Sequence, residues 1–161
     1  MKKLFLITLS ILSFTLLINP HGQAYEQNFG FDTINTCTSY EYIDTHLNCG
    51  EKSYLQHFAI PYCNKYLRKN EIFSDRAQVI LANIRSCLQM ELLARANSDL
   101  NCENIEEIGV ESHYGCYLES GFCDLPEVDN LKVMWIARLE VFNVKVMSVF
   151  SKVVAECRIR E

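Results

Sequence analysis

Apolar residues along this chain recur mostly at helical spacing. From Lys52 onward, Leu55, Phe58, Ala59, Tyr62, Tyr66 and Leu67 fall mainly three or four apart, which predicts a helix. Pro61 interrupts that run, so either a short helix stops near Ile60 or Pro61 opens a second one. Phe73-Ser74-Asp75 predicts a helix start: Ser74 can accept from the free backbone N–H groups, and Asp75 sits where the helix dipole favours negative charge. Ala77, Ile80, Leu81, Ile84, Leu88 and Leu92 then build one stripe, which Cys87 shares. A further helix is expected over Glu103 to Leu118, with Ile105, Ile108 and Tyr117 inward, Gly121 as its stop and Pro126 beyond.

The longest helix is expected from Val128 to Arg158. Leu131, Trp135, Leu139, Phe142, Val146, Phe150 (or Val149) and Val153 form its seam, leading to Cys157. Met134, Ala137, Val141, Val144 and Ser148 make a second, weaker face, which suits burial within the domain or the seam of a non-covalent homodimer. Residues 25–50 are polar, aromatic and punctuated by Asn and Gly, and are expected as an irregular arm with one helical turn. The fold class is therefore all-α: a single disulfide-stapled helical domain with a long C-terminal helix.

The first residues follow a different pattern. Lys2 and Lys3 precede an uncharged run from Leu4 to Ile18, and Gly22-Gln23-Ala24 offers small residues for cleavage. The run is short for a bilayer span of ~20 residues, so a signal peptide over 1–24 and a mature domain over 25–161 are expected. Export would take the chain to the extracellular space, or to the periplasm of a bacterium. Loss of Lys2 and Lys3 moves the formal charge from −5 to −7. An acidic domain without a basic stripe is poorly suited to nucleic acid, and no Lys/Arg-rich amphipathic face suggests a membrane surface after cleavage.

Eight cysteines lie outside that leader: Cys37, Cys49, Cys63, Cys87, Cys102, Cys116, Cys123 and Cys157. An even count in an exported chain reads as four disulfides, and the absence of any Cys-x-x-Cys pair disfavours zinc. Spacing alone leaves on the order of a hundred pairings open.

Catalytic patterns are absent: there is no Gly-x-Ser-x-Gly elbow, Walker loop, His-Glu-x-x-His or EF-hand loop. His46, His57 and His113 stand alone, without the partners that proton transfer needs. Glu103, Glu106, Glu107 and Glu111 share one side of a helix and read as a solvated acidic face, with a cation site as the alternative. No catalytic, cofactor-binding or metal-ligating residue is expected, and no cofactor. One stretch, His113-Tyr114-Gly115-Cys116-Tyr117, resembles the start of the calcium loop of secreted phospholipase A2, which would imply a small calcium-dependent phospholipase-like enzyme. Leu118-Glu119-Ser120 stands where that family has glycines, and its Cys-Cys-x-x-His-Asp helix has no counterpart.

The cysteine ladder, with intervals of 12, 14, 24, 15, 14, 7 and 34, resembles that of the stanniocalcins, closely from Cys63 onward. Cys63-Asn64-Lys65-Tyr66-Leu67, Phe73, and Cys116-Tyr117 followed by Cys123 look like that family's local pattern. The resemblance implies an all-α extracellular protein paired Cys37–Cys63, Cys49–Cys102, Cys87–Cys116 and Cys123–Cys157. It further implies a non-catalytic regulator, hormone-like or protease-inhibiting, that works through a protein partner; a microbial factor acting on a host target has the same chemistry. One N-terminal disulfide and the intersubunit cysteine of the vertebrate members have no counterpart, and no Asn-x-Ser/Thr sequon occurs.

Overall fold

The computed structural model describes residues 30–138, 140 and 143–160. The expected signal peptide and its cleavage site lie outside these residues, as do Leu139, Val141 and Phe142 of the expected long helix. Among the described residues the chain is helical without strands, and none of its helices is long and apolar enough to cross a membrane.

Six helical rods follow one another. The first, α1 (Thr38–Leu47), replaces the irregular arm expected there. Tyr40, Ile43 and Leu47 are three and four apart, so the segment carries a short apolar stripe of its own among its many polar residues. Tyr40 and Ile43 are buried, and Asn48 ends the helix in the left-handed conformation, its N–H on the Asp44 carbonyl at 2.8 Å. The second rod, α2, joins a π-helical turn (Leu55–Ala59) to an α-helix (Ile60–Arg68). Pro61 does not stop it: it sits in the first turn of the α-segment, where the missing N–H costs least.

Helix α3 (Asp75–Arg95) starts as expected, with Ser74 Oγ accepting from the Ala77 N–H at 3.3 Å. It is the spine of the domain. Its first half (Ala77, Ile80, Leu81, Ile84) lies in an apolar cluster with Phe73, Phe122, Leu125, Val133, Ile136 and Val153. Its second half (Leu92, Leu93) lies in another with Tyr40, Ile43, Leu55, Ala59 and Ile105. Helix α4 (Ile105–Glu119) packs between α3 and α6, and Gly121 follows its end at φ 85°, the stop expected of it. Gly109 lets Tyr54 approach: a Cβ there would lie 2.5 Å from Tyr54 Cε1.

The expected single C-terminal helix is instead two, α5 (Glu127–Ala137) and α6 (Val144–Arg160). Either side of the break, different residues face inward. Val133 and Ile136 are buried in α5, whereas Leu131 and Trp135 of the expected seam are exposed; in α6 the seam holds, with Val153 buried and Val146 and Phe150 half-buried. A straight helix carries one stripe over its length, and a break allows the stripe to be reset.

Four disulfides hold the rods: Cys37–Cys63, Cys49–Cys102, Cys87–Cys116 and Cys123–Cys157, with no free cysteine. They tie α1 to α2, the end of α1 to the entry of α4, α3 to α4, and the turn after α4 to α6. The separations of 26, 53, 29 and 34 residues correspond to ~3–4 kcal/mol each in the chain-entropy model. Such a framework belongs to an oxidising compartment.

Only α5 lacks a disulfide. It is held by Val133 and Ile136 in the core, and by polar bonds at both ends. Asp129 Oδ2 accepts from Ser74 Oγ at 2.5 Å, and Asp129 Oδ1 accepts from Lys132 Nζ at 2.7 Å and the Ser74 N–H at 3.3 Å. Farther along, Tyr66 Oη donates to the Val133 carbonyl at 3.2 Å and Lys65 Nζ to the Ile136 carbonyl at 2.7 Å. Asp129 is 2% exposed. Burial pushes its carboxyl up, but the bonds from Lys132 and Ser74 outweigh burial and hold it below the usual carboxylate range.

A carboxyl depressed in the folded state adds stability above its unfolded pKa of ~3.9, and that stability is lost as pH falls through the folded value. Asp129→Ala should therefore cost ~2 kcal/mol at pH 7 in urea unfolding, and the difference from wild type should shrink below pH ~4. A difference that stays constant down to pH 2 would mean that the charge on Asp129 does not hold α5.

Candidate functional site

His46, His57 and His113 do not meet. His46 stacks on Tyr42 at the exposed end of α1, and His57 is exposed on α2. His113 lies inside, edge-on to Phe58 and Tyr117, with Nδ1 2.8 Å from the Gly109 carbonyl. That carbonyl only accepts, so Nδ1 carries the proton. The stretch His113–Tyr117 sits within α4, where successive carbonyls serve the helix rather than turn outward as a calcium loop requires.

Glu103, Glu106, Glu107 and Glu111 are all exposed, and Glu106 pairs with Lys145 of α6 at 3.0 Å. Among the described residues no group of three or more His, Cys, Asp or Glu side chains could hold a metal ion. Buried polar side chains instead do structural work. Gln89 Oε1 accepts from Ser39 Oγ at 2.5 Å, and its Nε2 donates to the Thr33 and Thr36 carbonyls at 2.8 and 2.9 Å. Arg85 Nε donates to the Ile34 carbonyl at 2.8 Å. These bonds stitch the segment before α1 onto α3.

What the surface offers is one face of α5. Because Val133 and Ile136 turn inward, Val128, Leu131 and Trp135 turn outward, at 64%, 71% and 52% exposure. They are three and four residues apart and form one apolar stripe. Other exposed large apolar residues, such as Val79, Tyr114 and Ile159, belong to other helices. Two cations flank the indole: Lys69 Nζ lies 4.9 Å and the Arg138 guanidinium carbon 4.7 Å from the Trp135 ring. Arg138 Nη1 also donates to the Trp135 carbonyl at 2.8 Å. Among the described residues neither cation forms an ion pair, while Lys132, on the same helix, is matched by Asp129.

An exposed tryptophan between unpaired cations, beside leucine and valine, is the chemistry of a protein-binding anchor. Sequence periodicity placed Leu131 and Trp135 in a buried seam because it ran one stripe through a break that no Gly or Pro marks. The signal that could have reversed the face is Asp129 with Lys132: a carboxylate and its cation, three apart, flank the true inward side. No family model, curated protein or solved structure matches the chain.

Burial pushes the His113 pKa down, and the Gly109 and Val110 carbonyls only partly counter it. A histidine kept neutral in the fold contributes stability that is whole above the unfolded pKa of ~6.5 and is lost as pH falls below it. The urea midpoint should thus drop between pH 7 and pH 5, and His113→Gln should flatten that drop. An equal drop in the variant would assign the loss to other groups.

Proposed function

We propose that this chain is a secreted, non-catalytic binding or regulatory protein of stanniocalcin type, which docks a protein partner through the outer face of α5. The observation that carries the reading is the disulfide framework. Of roughly a hundred ways to pair eight cysteines, the structure holds the one that the resemblance to the stanniocalcins implies.

The α5 face supplies what such a protein needs, an anchor without an active site. Its partner is expected to present an apolar centre rimmed by carboxylates, because Lys69 and Arg138 beside Trp135 are uncompensated. The net negative charge of the chain does not oppose this, since charges beyond a Debye length of ~8–10 Å are screened and the two local cations dominate at contact. A phospholipase-like enzyme, the alternative, gains nothing from His113–Tyr117 lying within a helix. The compartment fits either a hormone-like regulator or a microbial factor acting on a host target.

Site-specific photo-crosslinking of the exported protein in its native medium tests this reading. A benzophenone side chain at Val128 should give one salt-sensitive protein adduct, whereas the same group at Ser151, exposed on α6, should not. Trp135→Ala should weaken the interaction about thirty-fold, as loss of a central anchor does. Equal adducts from both positions, an adduct of two copies of this chain, or crosslinking to lipid would overturn the partner chemistry. Calcium-dependent hydrolysis of phospholipid by the purified protein would overturn the non-catalytic reading.

A further inference from the structure

Tyrosines inside a protein usually place their hydroxyls on a protein acceptor. Two here do so: Tyr62 Oη donates to Glu140 Oε1 at 2.7 Å, and Tyr66 Oη to the Val133 carbonyl. Tyr40, Tyr54 and Tyr117 do not. Among the described residues their hydroxyls have no hydrogen-bond partner, yet no buried side-chain oxygen is sealed away unpaired. These three oxygens therefore keep accessible surface, and all three tyrosines line one partly open space.

That space is a pair of adjoining cavities of about 80 and 90 Å³. Phe58, Tyr62, Tyr66, His113, Tyr117 and Val133 form their common wall. The first lobe adds Tyr40 and Tyr54, and the second adds Met134, Met147, Val149 and Phe150. Tyr54, Tyr66, His113 and Tyr117 are half-buried residues that line these lobes.

The walls define what could enter. The phenols are neutral donors, because burial pushes Tyr117 up to about 12 and Tyr40 and Tyr54 upward as well. Arg85 is the one cation among the residues lining the two lobes, with its Nε on the Ile34 carbonyl and its charge partly met by Asp32. Glu140 stands on the second lobe, which disfavours an anion there. Water is a poor filler of most of that lobe, since each molecule needs two to four polar partners, the walls away from Glu140 are mainly aliphatic, aromatic and thioether, and the Tyr62 and Tyr66 hydroxyls are already bonded.

We propose that the paired cavity is a binding site for a small uncharged molecule with an apolar body and one hydrogen-bonding oxygen. The body lies among Met134, Met147 and Phe150, and the oxygen accepts from the hydroxyls of Tyr40, Tyr54 or Tyr117. A dry cavity of ~150 Å³ accommodates benzene, and neither lobe reaches that size alone. The occupant therefore spans both lobes and is a single-ring or short branched compound. This site is separate from the α5 docking face and does not depend on it.

Titration of the oxidised protein with toluene and with p-cresol, followed by methyl NMR and thermal unfolding, tests the site. Both should move the resonances of Val133, Val149 and Met147 and raise Tm, with p-cresol bound roughly three- to ten-fold more tightly through its added hydrogen bond. Tyr40→Phe, Tyr54→Phe and Tyr117→Phe together keep the walls, and should bring the two affinities close to parity while leaving toluene binding intact. No response to either compound, shifts confined to Val128 and Leu131 on the surface, or an undiminished preference for p-cresol in the triple variant would each overturn the proposal.

Discussion

The covalent framework is the constraint on which the rest of the structure depends. Each helix but one is tied to a neighbour by a disulfide, so the unfolded chain is restricted before any side chain packs. Pinning α1 at both ends matters most, because a ten-residue helix is too short to persist on its own and its apolar stripe is narrow. With α1 fixed, Gln89 and Arg85 can bind the carbonyls of residues 33, 34 and 36, and the buried amide is fully satisfied. A buried polar network of this kind orders a segment only if every member has its partners.

The exception gives the molecule its polarity. Helix α5 is fixed by two buried apolar residues, one buried carboxylate and two donors from α2 onto its carbonyls. The Lys65 ammonium on the last turn also suits the negative end of that helix. The helix held without a covalent tie is thus the one that exposes a tryptophan, a leucine and a valine.

Much of the fold was legible because its signals are local. Ser74 and Gly121 bracket helices through backbone chemistry that depends on no distant contact, and the α3 stripe needs only its own spacing. Features created by tertiary context were not legible. Helix α1 hides in a polar stretch because only Tyr40, Ile43 and Leu47 turn inward, and its ends are set by disulfides. The break after Ala137 carries no Gly or Pro, so periodicity ran one seam straight through it and turned Leu131 and Trp135 the wrong way. Nor does composition reveal that Tyr40, Tyr54 and Tyr117 converge, since they come from three separate elements. The exposed apolar face of α5 was illegible for the same reason: it is what remains after Asp129 and Val133 claim the inner side.

The most direct test is a disulfide map of the exported protein by non-reducing peptide mass spectrometry, together with its intact mass. The expected result is Cys37–Cys63, Cys49–Cys102, Cys87–Cys116 and Cys123–Cys157, with no free thiol, in a chain that begins at Tyr25. Any other pairing, or reduced cysteines in a chain retained inside the cell, would contradict both the stapled framework and the secreted regulatory role built on it.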